Sequence, residues 1–180
     1  MKRMLIVVGA VSLMAAVTAL AGDPPEAGKS APAAASMATN PAPAMEHRYF
    51  TPADMKWIDP PPGLPKGSKM MVLEGNPAEP GPFTMRAWLP DGYKVMPHWH
   101  PSVEHVTVIS GTFYMAMGES WDESKGHALP AGSFSYMPAG VKHFAWSKGE
   151  TVIQVHGVGP WGITYVNPSD DPRNQKQATK

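Results

Sequence analysis

The chain is 180 residues long, 43% apolar, and carries 15 basic and 15 acidic residues, so its formal net charge is zero. That is the length of one domain, without a disordered composition and without a basic stripe to neutralise a row of phosphates, which excludes nucleic acid and leaves small or neutral partners. With no cysteine, disulfides, thiolate ligands, a cysteine nucleophile and a lipidated cysteine are excluded as well.

Residues 1–21 read as a secretory signal peptide. Lys2 and Arg3 form a short basic start, an apolar run follows from Leu5 to Leu20, and Ala19-Leu20-Ala21 supplies a small-residue cleavage site. A membrane anchor is the competing reading, but the apolar run lies at the short end of the roughly 17–25 residues a spanning helix needs. The expectation is an exported protein, periplasmic or secreted, with no membrane attachment after cleavage. Lys2-Arg3 is not a twin-arginine pair, so the chain is expected to cross unfolded and to take up any metal outside the cytoplasm. Residues 22–46 are rich in Ala and Pro with no apolar period and read as a linker. The folded domain is expected over 47–168, followed by a loose polar C-terminal tail over 169–180.

Within the domain, short runs of β-branched and aromatic residues are punctuated by Gly and Pro, and no helical period persists. Strands are predicted over 69–74, 83–89, 103–109, 112–117, 133–137, 143–146, 151–158 and 163–166. Hairpin turns are predicted at Asp91-Gly92, Ser110-Gly111, Ala131-Gly132, Ala139-Gly140 and Lys148-Gly149. This is an all-β pattern, and periodicity alone leaves sandwich and barrel both open.

The octet HWHPSVEH, residues 98–105, holds three of the seven histidines. On a strand, side chains alternate faces, so His98 and His100 share one face, and Glu104 returns to it if Pro101 only bends the chain. Two imidazoles and a carboxylate then converge, a nitrogen and oxygen donor set that suits a transition metal better than calcium. Val106 and Val108 continue the same parity, which places the donors at one end of an apolar interior. His105, on the other face, reads as a packed or exposed histidine.

Residues 92–111, GYKVMPHWHPSVEHVTVISG, run glycine, five residues, His-x-His, three residues, glutamate, six residues, glycine. Residues 132–143, GSFSYMPAGVKH, run glycine, five residues, Pro-x-Gly, two residues, histidine, and twenty residues separate the two stretches. In both, the chain resembles the cupin superfamily. One departure is Ser147, where the family often has asparagine. The resemblance covers about 69–166 and implies a double-stranded β-helix, or jelly-roll, barrel. It also implies one divalent metal (Mn, Fe, Cu, Ni or Zn) held by His98, His100, Glu104 and His143, with the last arriving from another strand. Homodimers are common among cupins, so a homodimer is the expected assembly.

Cupins include dioxygenases, decarboxylases, isomerases, lyases and binding proteins, so the resemblance selects no reaction. Decarboxylation and epimerisation usually want a second acid or base at the site, and Asp91, Glu119, Asp122, Glu123 and Glu150 all fall in predicted loops. The polar insertion GESWDESKG, residues 118–126, reads as a solvated hairpin tip or as a lid. Candidate catalytic residues are His156, Arg86 and Tyr114: His156 and His127 as groups that orient a ligand or move a proton, Arg86 as a fork for a substrate carboxylate. Tyr114, Met115, Met117, Phe134, Tyr136, Phe144, Trp146 and Trp161 offer aromatic and thioether surface, and those facing the metal would form an apolar pocket. The expected function is a metal-dependent, dioxygenase-like oxidoreductase acting on a small organic molecule. The alternative is a non-catalytic sensor or carrier that binds a metal or small molecule in the same barrel.

Overall fold

A computed structural model describes residues 47–175; the segments expected to be signal peptide and linker, and residues 176–180, lie outside the described residues. Eight strands follow one another: β1 (Lys69–Glu74), β2 (Gly81–Leu89), β3 (Lys94–Trp99), β4 (Glu104–Met117), β5 (His127–Pro130), β6 (Phe134–Met137), β7 (His143–Gly159) and β8 (Thr164–Tyr165). Three single-turn 3-10 helices, Pro52–Asp54, Glu123–Lys125 and Pro168–Asp170, complete the described residues. None of these helices is long and apolar enough to cross a membrane.

All strand pairs are antiparallel, and β4 and β7 hold the structure together because they pair with each other along nearly their whole length. Their outer partners change part-way. On one side of the bend the order is β1, β2, β7, β4, β6, where β2 pairs residues 151–159 of β7 and β6 pairs residues 104–107 of β4. On the other it is β8, β3, β7, β4, β5, using residues 143–146 of β7 and 112–115 of β4. Two five-stranded layers that share their two long strands curl into a jelly-roll barrel.

The bend corrects two of the expected turns. Ser110-Gly111 and Lys148-Gly149 are not hairpin tips; they lie inside β4 and β7, near one another, where the register shifts on either side of Ser110. Gly111 has φ of +78°, and a Cβ there would stand 2.3 Å from the carbonyl oxygen of Glu150. Only glycine lets the two backbones stay paired around so sharp a corner. The bulge also switches which parity of β4 faces inward, from Val106 and Val108 to Phe113 and Met115. Strands β3 and β5, which the run pattern does not announce, fill the second layer.

The barrel interior is packed by Phe83, Met85, Leu89, Val106, Val108, Ile153 and their neighbours, each worth about 1.5–3 kcal/mol when fully buried. A second, smaller cluster lies outside the second layer: Ala116, Phe144 and Trp146, with Tyr114 and Trp121 against them. The 118–126 segment makes this cluster. It is neither a solvated tip nor a lid over the interior, because Trp121 packs on Phe144 and Trp146 at ring separations of 5.0 and 5.4 Å. Glu123 and Lys94 pin it from above, 2.8 Å apart, with the ammonium 4.8 Å from the Trp121 ring centre.

The polar tail is also tied down as far as it is described. Asp171 takes a forked ion pair from Arg173, whose guanidinium also donates to the Ile163 carbonyl at 3.1 Å. Ser147, the departure from the family pattern, is buried and ties the β2–β3 turn to β7: it accepts from the Tyr93 backbone N–H at 3.0 Å and donates to the Pro90 carbonyl at 2.5 Å.

Candidate metal centre

His98 lies near the end of β3, His100 just past it, Glu104 opens β4 and His143 opens β7. The Pro101-Ser102 bend returns the chain so that Glu104 faces the same interior as the two histidines. Pairing of β3 with β7 sets His98 directly opposite His143. All four side chains are buried, with residue exposures of 4%, 3%, 7% and 1% in chain order.

Each of the three histidines has a nitrogen within 4.8 Å of one in the other two. Their Nδ1 atoms are occupied elsewhere: His98 with the Met96 carbonyl at 2.7 Å, His100 with the Gly162 carbonyl at 2.7 Å, and His143 with the Val141 carbonyl at 3.0 Å. A carbonyl only accepts, so each Nδ1 carries the proton and each Nε2 keeps a free lone pair. The Glu104 carboxylate stands between two of these, its Oε1 3.5 Å from His100 Nε2 and its Oε2 3.5 Å from His143 Nε2.

The electrostatics favour donors over acids. Burial, helped by the neighbouring His143 and His100 imidazoles, drives His98 down to about 3, and burial likewise holds His100 below its ordinary value. Burial alone would raise Glu104, but His100 and His143 beside it more than reverse that and hold the carboxyl below the usual glutamate range. His98 and His100 are thereby disposed to offer lone pairs, beside a group held as carboxylate.

A divalent transition metal fits this arrangement. His100 Nε2 is buried with no hydrogen-bond partner among the described residues, a state that costs about 1–3 kcal/mol unless something accepts its lone pair. Metal–ligand bonds of about 2.1 Å put adjacent donor atoms about 3–3.5 Å apart, close to the separations of Glu104 from His100 and His143. Three buried histidines in this geometry can bind a metal ion.

The cluster lines a cavity of about 70 Å³. Its wall is otherwise almost entirely apolar, with Met85, Val106, Phe113, Met115, Ile153 and Val155 prominent. Tyr93 also reaches it, but its hydroxyl donates to the Pro65 carbonyl at 2.7 Å and accepts from Ser68 at 3.0 Å. Burial pushes that phenol up to about 12, so it remains a hydroxyl. Lys69 lines the cavity too, and its ammonium is 2.6 Å from Asp59.

None of the three expected catalytic candidates reaches this cavity, and strand alternation gives the reason. Arg86 lies between Met85 and Ala87, which face in; it faces out, donating to Gln154 at 3.1 Å. His156 follows inward-facing Val155 and stacks outside the wall on His105, with rings 4.8 Å apart and 8° from parallel. Tyr114, between Phe113 and Met115, stacks on Trp146 at 5.0 Å in the outer cluster. His127 is exposed on β5. Groups that orient the histidines are backbone carbonyls instead, which residue type does not reveal. Of the eight aromatic and thioether side chains singled out from the sequence, Met115 and Trp161 line the cavity. Met117, Phe134 and Tyr136 are exposed, and the rest pack outside the second layer.

The carboxylates that sequence reasoning assigned to loops are all absent from the cavity wall. Glu119 pairs with Lys142, Glu123 with Lys94, and Asp91 accepts from the Gly149 backbone N–H at 2.6 Å.

The family model for the ChrR cupin-like domain matches residues 45–161, a span that takes in both motifs and every residue of the cluster. The chain belongs to the ChrR cupin-like family. Solved structures show the same cupin fold at low identity. The polyketide cyclase RemF from Streptomyces resistomycificus is 18% identical, with a TM-score of 0.58 and coverage of 71% of this chain and 91% of that one. A candidate acetylacetone dioxygenase from Methylibium petroleiphilum is 20% identical, with a TM-score of 0.54 and coverage of 71% and 86%. A search of curated protein sequences gave no match. Likeness at this level concerns the barrel alone.

Proposed function

We propose that this cupin is a metal-dependent, dioxygenase-like enzyme acting on a small organic molecule, with His98, His100, Glu104 and His143 as the ligands of one divalent ion (Mn, Fe, Cu, Ni or Zn). The observation that carries the reading is a buried three-imidazole, one-carboxylate cluster in the wall of an otherwise apolar cavity that, among the described residues, no free acid or base lines. A decarboxylase or epimerase needs a proton donor or acceptor beside the substrate; among the described residues the titratable groups that line the cavity besides the cluster are Tyr93 and Lys69, and both are engaged. When bound, the ion would supply Lewis-acid or redox chemistry at coordination positions that the four protein donors leave free.

The chain's own residues do the rest. Carbonyls of Met96, Gly162 and Val141 hold the three Nδ1 protons and so aim the lone pairs inward. Glu104 provides the one negative charge. The apolar wall excludes bulk water and accepts the body of a hydrophobic ligand. Residues 1–21 support export, so the ion would be acquired outside the cytoplasm.

Elemental analysis of native protein from the exported fraction, together with oxygen uptake on acetylacetone, small phenols and carboxylic acids, tests the reading. One metal per chain and uptake that disappears in Glu104→Ala are expected. Metal far below one per chain in unstripped material would overturn it.

One observation favours the second reading, a sensor or carrier. Residues 63–65 bridge the barrel: Tyr165 donates to the Gly63 carbonyl at 3.0 Å, Tyr93 donates to that of Pro65, and Leu64 joins the cavity wall. A segment tied against the cavity in this way suits retention of a ligand. Tight ligand binding by metal-loaded protein with no turnover of it distinguishes that role.

A further inference from the structure

Between β7 and β8 the chain runs Pro160-Trp161-Gly162-Ile163, and each of these residues is tied to a different part of the molecule. The Pro160 carbonyl accepts from Ser102 Oγ at 3.0 Å, the Trp161 backbone N–H donates to the Pro77 carbonyl at 2.6 Å, and the Gly162 carbonyl takes the His100 Nδ1 proton at 2.7 Å. The next carbonyl, that of Ile163, accepts from the Arg173 guanidinium at 3.1 Å. The loop thus joins the proposed metal centre to the C-terminal tail.

Arg173 is itself fixed. Its Nε and Nη2 fork onto the Asp171 carboxylate at 2.8 and 2.6 Å, and its backbone N–H donates to the same carboxylate at 2.9 Å. A fork of this kind holds a guanidinium in one orientation, which a single exposed ion pair does not. Asp171 is buried, and Asn174 closes the turn around it, donating from its backbone to the Asp171 carbonyl and from its side chain to that of Pro168, both at 2.9 Å. The guanidinium also lies against Gly63, where a Cβ would stand 3.7 Å from its central carbon and 3.1 Å from Ile163 Cγ2.

We propose that Arg173 is a positioning residue for the metal centre: from the tail it fixes the Ile163 carbonyl, and through it the adjoining Gly162 carbonyl that orients His100. This rests on the metal-centre reading. Only the φ and ψ of Ile163 separate the two carbonyls, so holding one limits the swing of the other. Strand β8 cannot do this alone, because it spans only Thr164 and Tyr165 and pairs only with His98 and Trp99. The tail therefore supplies the restraint that a longer strand would give.

Release of zinc from the zinc-loaded protein to an excess of chromogenic chelator, followed well below the melting temperature, tests this. Arg173→Met keeps the stem and loses the donors. It should retain one zinc per chain and release it about 3- to 10-fold faster than wild type, less than the roughly 10–100-fold attached to groups that orient a ligand directly. Asp171→Asn, which weakens the fork and leaves Arg173 in place, should fall between the two. Lys94→Ala removes a half-exposed ion pair at the outer aromatic cluster, and its release rate should match wild type. With cobalt in place of zinc, the visible absorption bands should shift in Arg173→Met and stay fixed in Lys94→Ala. Wild-type release from Arg173→Met, unshifted cobalt bands in that variant, or equal acceleration in Lys94→Ala would overturn the inference alone. Failure of wild-type protein to take up zinc would overturn the metal centre, and this inference with it.

Discussion

His98, His100 and His143 meet inside the barrel wall, and His105 and His156 meet outside it. Ring separations are alike, 4.2–5.2 Å within and 4.8 Å without. What differs is what surrounds them. Inside, each Nδ1 has its own carbonyl and a buried carboxylate stands against two of the Nε2 atoms. Outside, His105 Nδ1 meets the His156 carbonyl at 3.3 Å, and among the described residues His156 Nδ1 has no partner and no acid pairs with either ring, which stack among Phe134 and Tyr136. Histidine proximity is thus a poor sign of a metal site; a fixed tautomer and a convergent carboxylate are better ones.

The largest effect that separates the two groups is loss of metal. His143→Ala should lower metal affinity by more than about 100-fold, since even the groups that orient a ligand are worth roughly 10–100-fold. His105→Ala should leave elemental content unchanged. Phe144, adjacent to His143 but on the outer face and 0% exposed, should behave in the opposite way: Phe144→Ala should cost about 3–5 kcal/mol in chemical denaturation while metal per chain stays the same.

Acid should act through the inner group. His98 and His100 titrate below their unfolded values, and so does Glu104; the unfolded chain therefore binds the protons first. Metal-stripped protein should hold its full stability above about pH 6.5 and lose it progressively as pH falls toward the value of about 3 at His98. A melting temperature that is flat across that window would contradict the assigned burial. Smallest of all, His156→Phe removes a buried nitrogen with no partner and keeps the stack, and should shift stability by no more than about 1 kcal/mol in either direction.

Three members of the inner group were legible because their spacing is sequential, His98, His100 and Glu104 sharing one parity, whereas His143 was added only by the resemblance of residues 132–143 to the second cupin motif. The all-β pattern was legible through its turn residues at Asp91-Gly92, Ala131-Gly132 and Ala139-Gly140, all of which are turns, while the barrel came from the resemblance. Ser110-Gly111 and Lys148-Gly149 misled because glycine marks a corner within a strand as readily as a turn between two. The faces of Arg86, Tyr114 and His156 depend on register around those corners. Trp161 and the Met96, Gly162 and Val141 carbonyls gain their roles only from tertiary contact, which no local pattern encodes.

Gly162 provides the carbonyl that orients His100, and its chain neighbour Trp161 covers the same imidazole. One dipeptide thus tunes both the ion's geometry and the shape of the chamber beside it. Evolution or a protein engineer seeking a new substrate by remodelling this loop would disturb metal selectivity in the same step, so altered specificity is more readily reached from the opposite wall, through Met85, Phe113 or Met115.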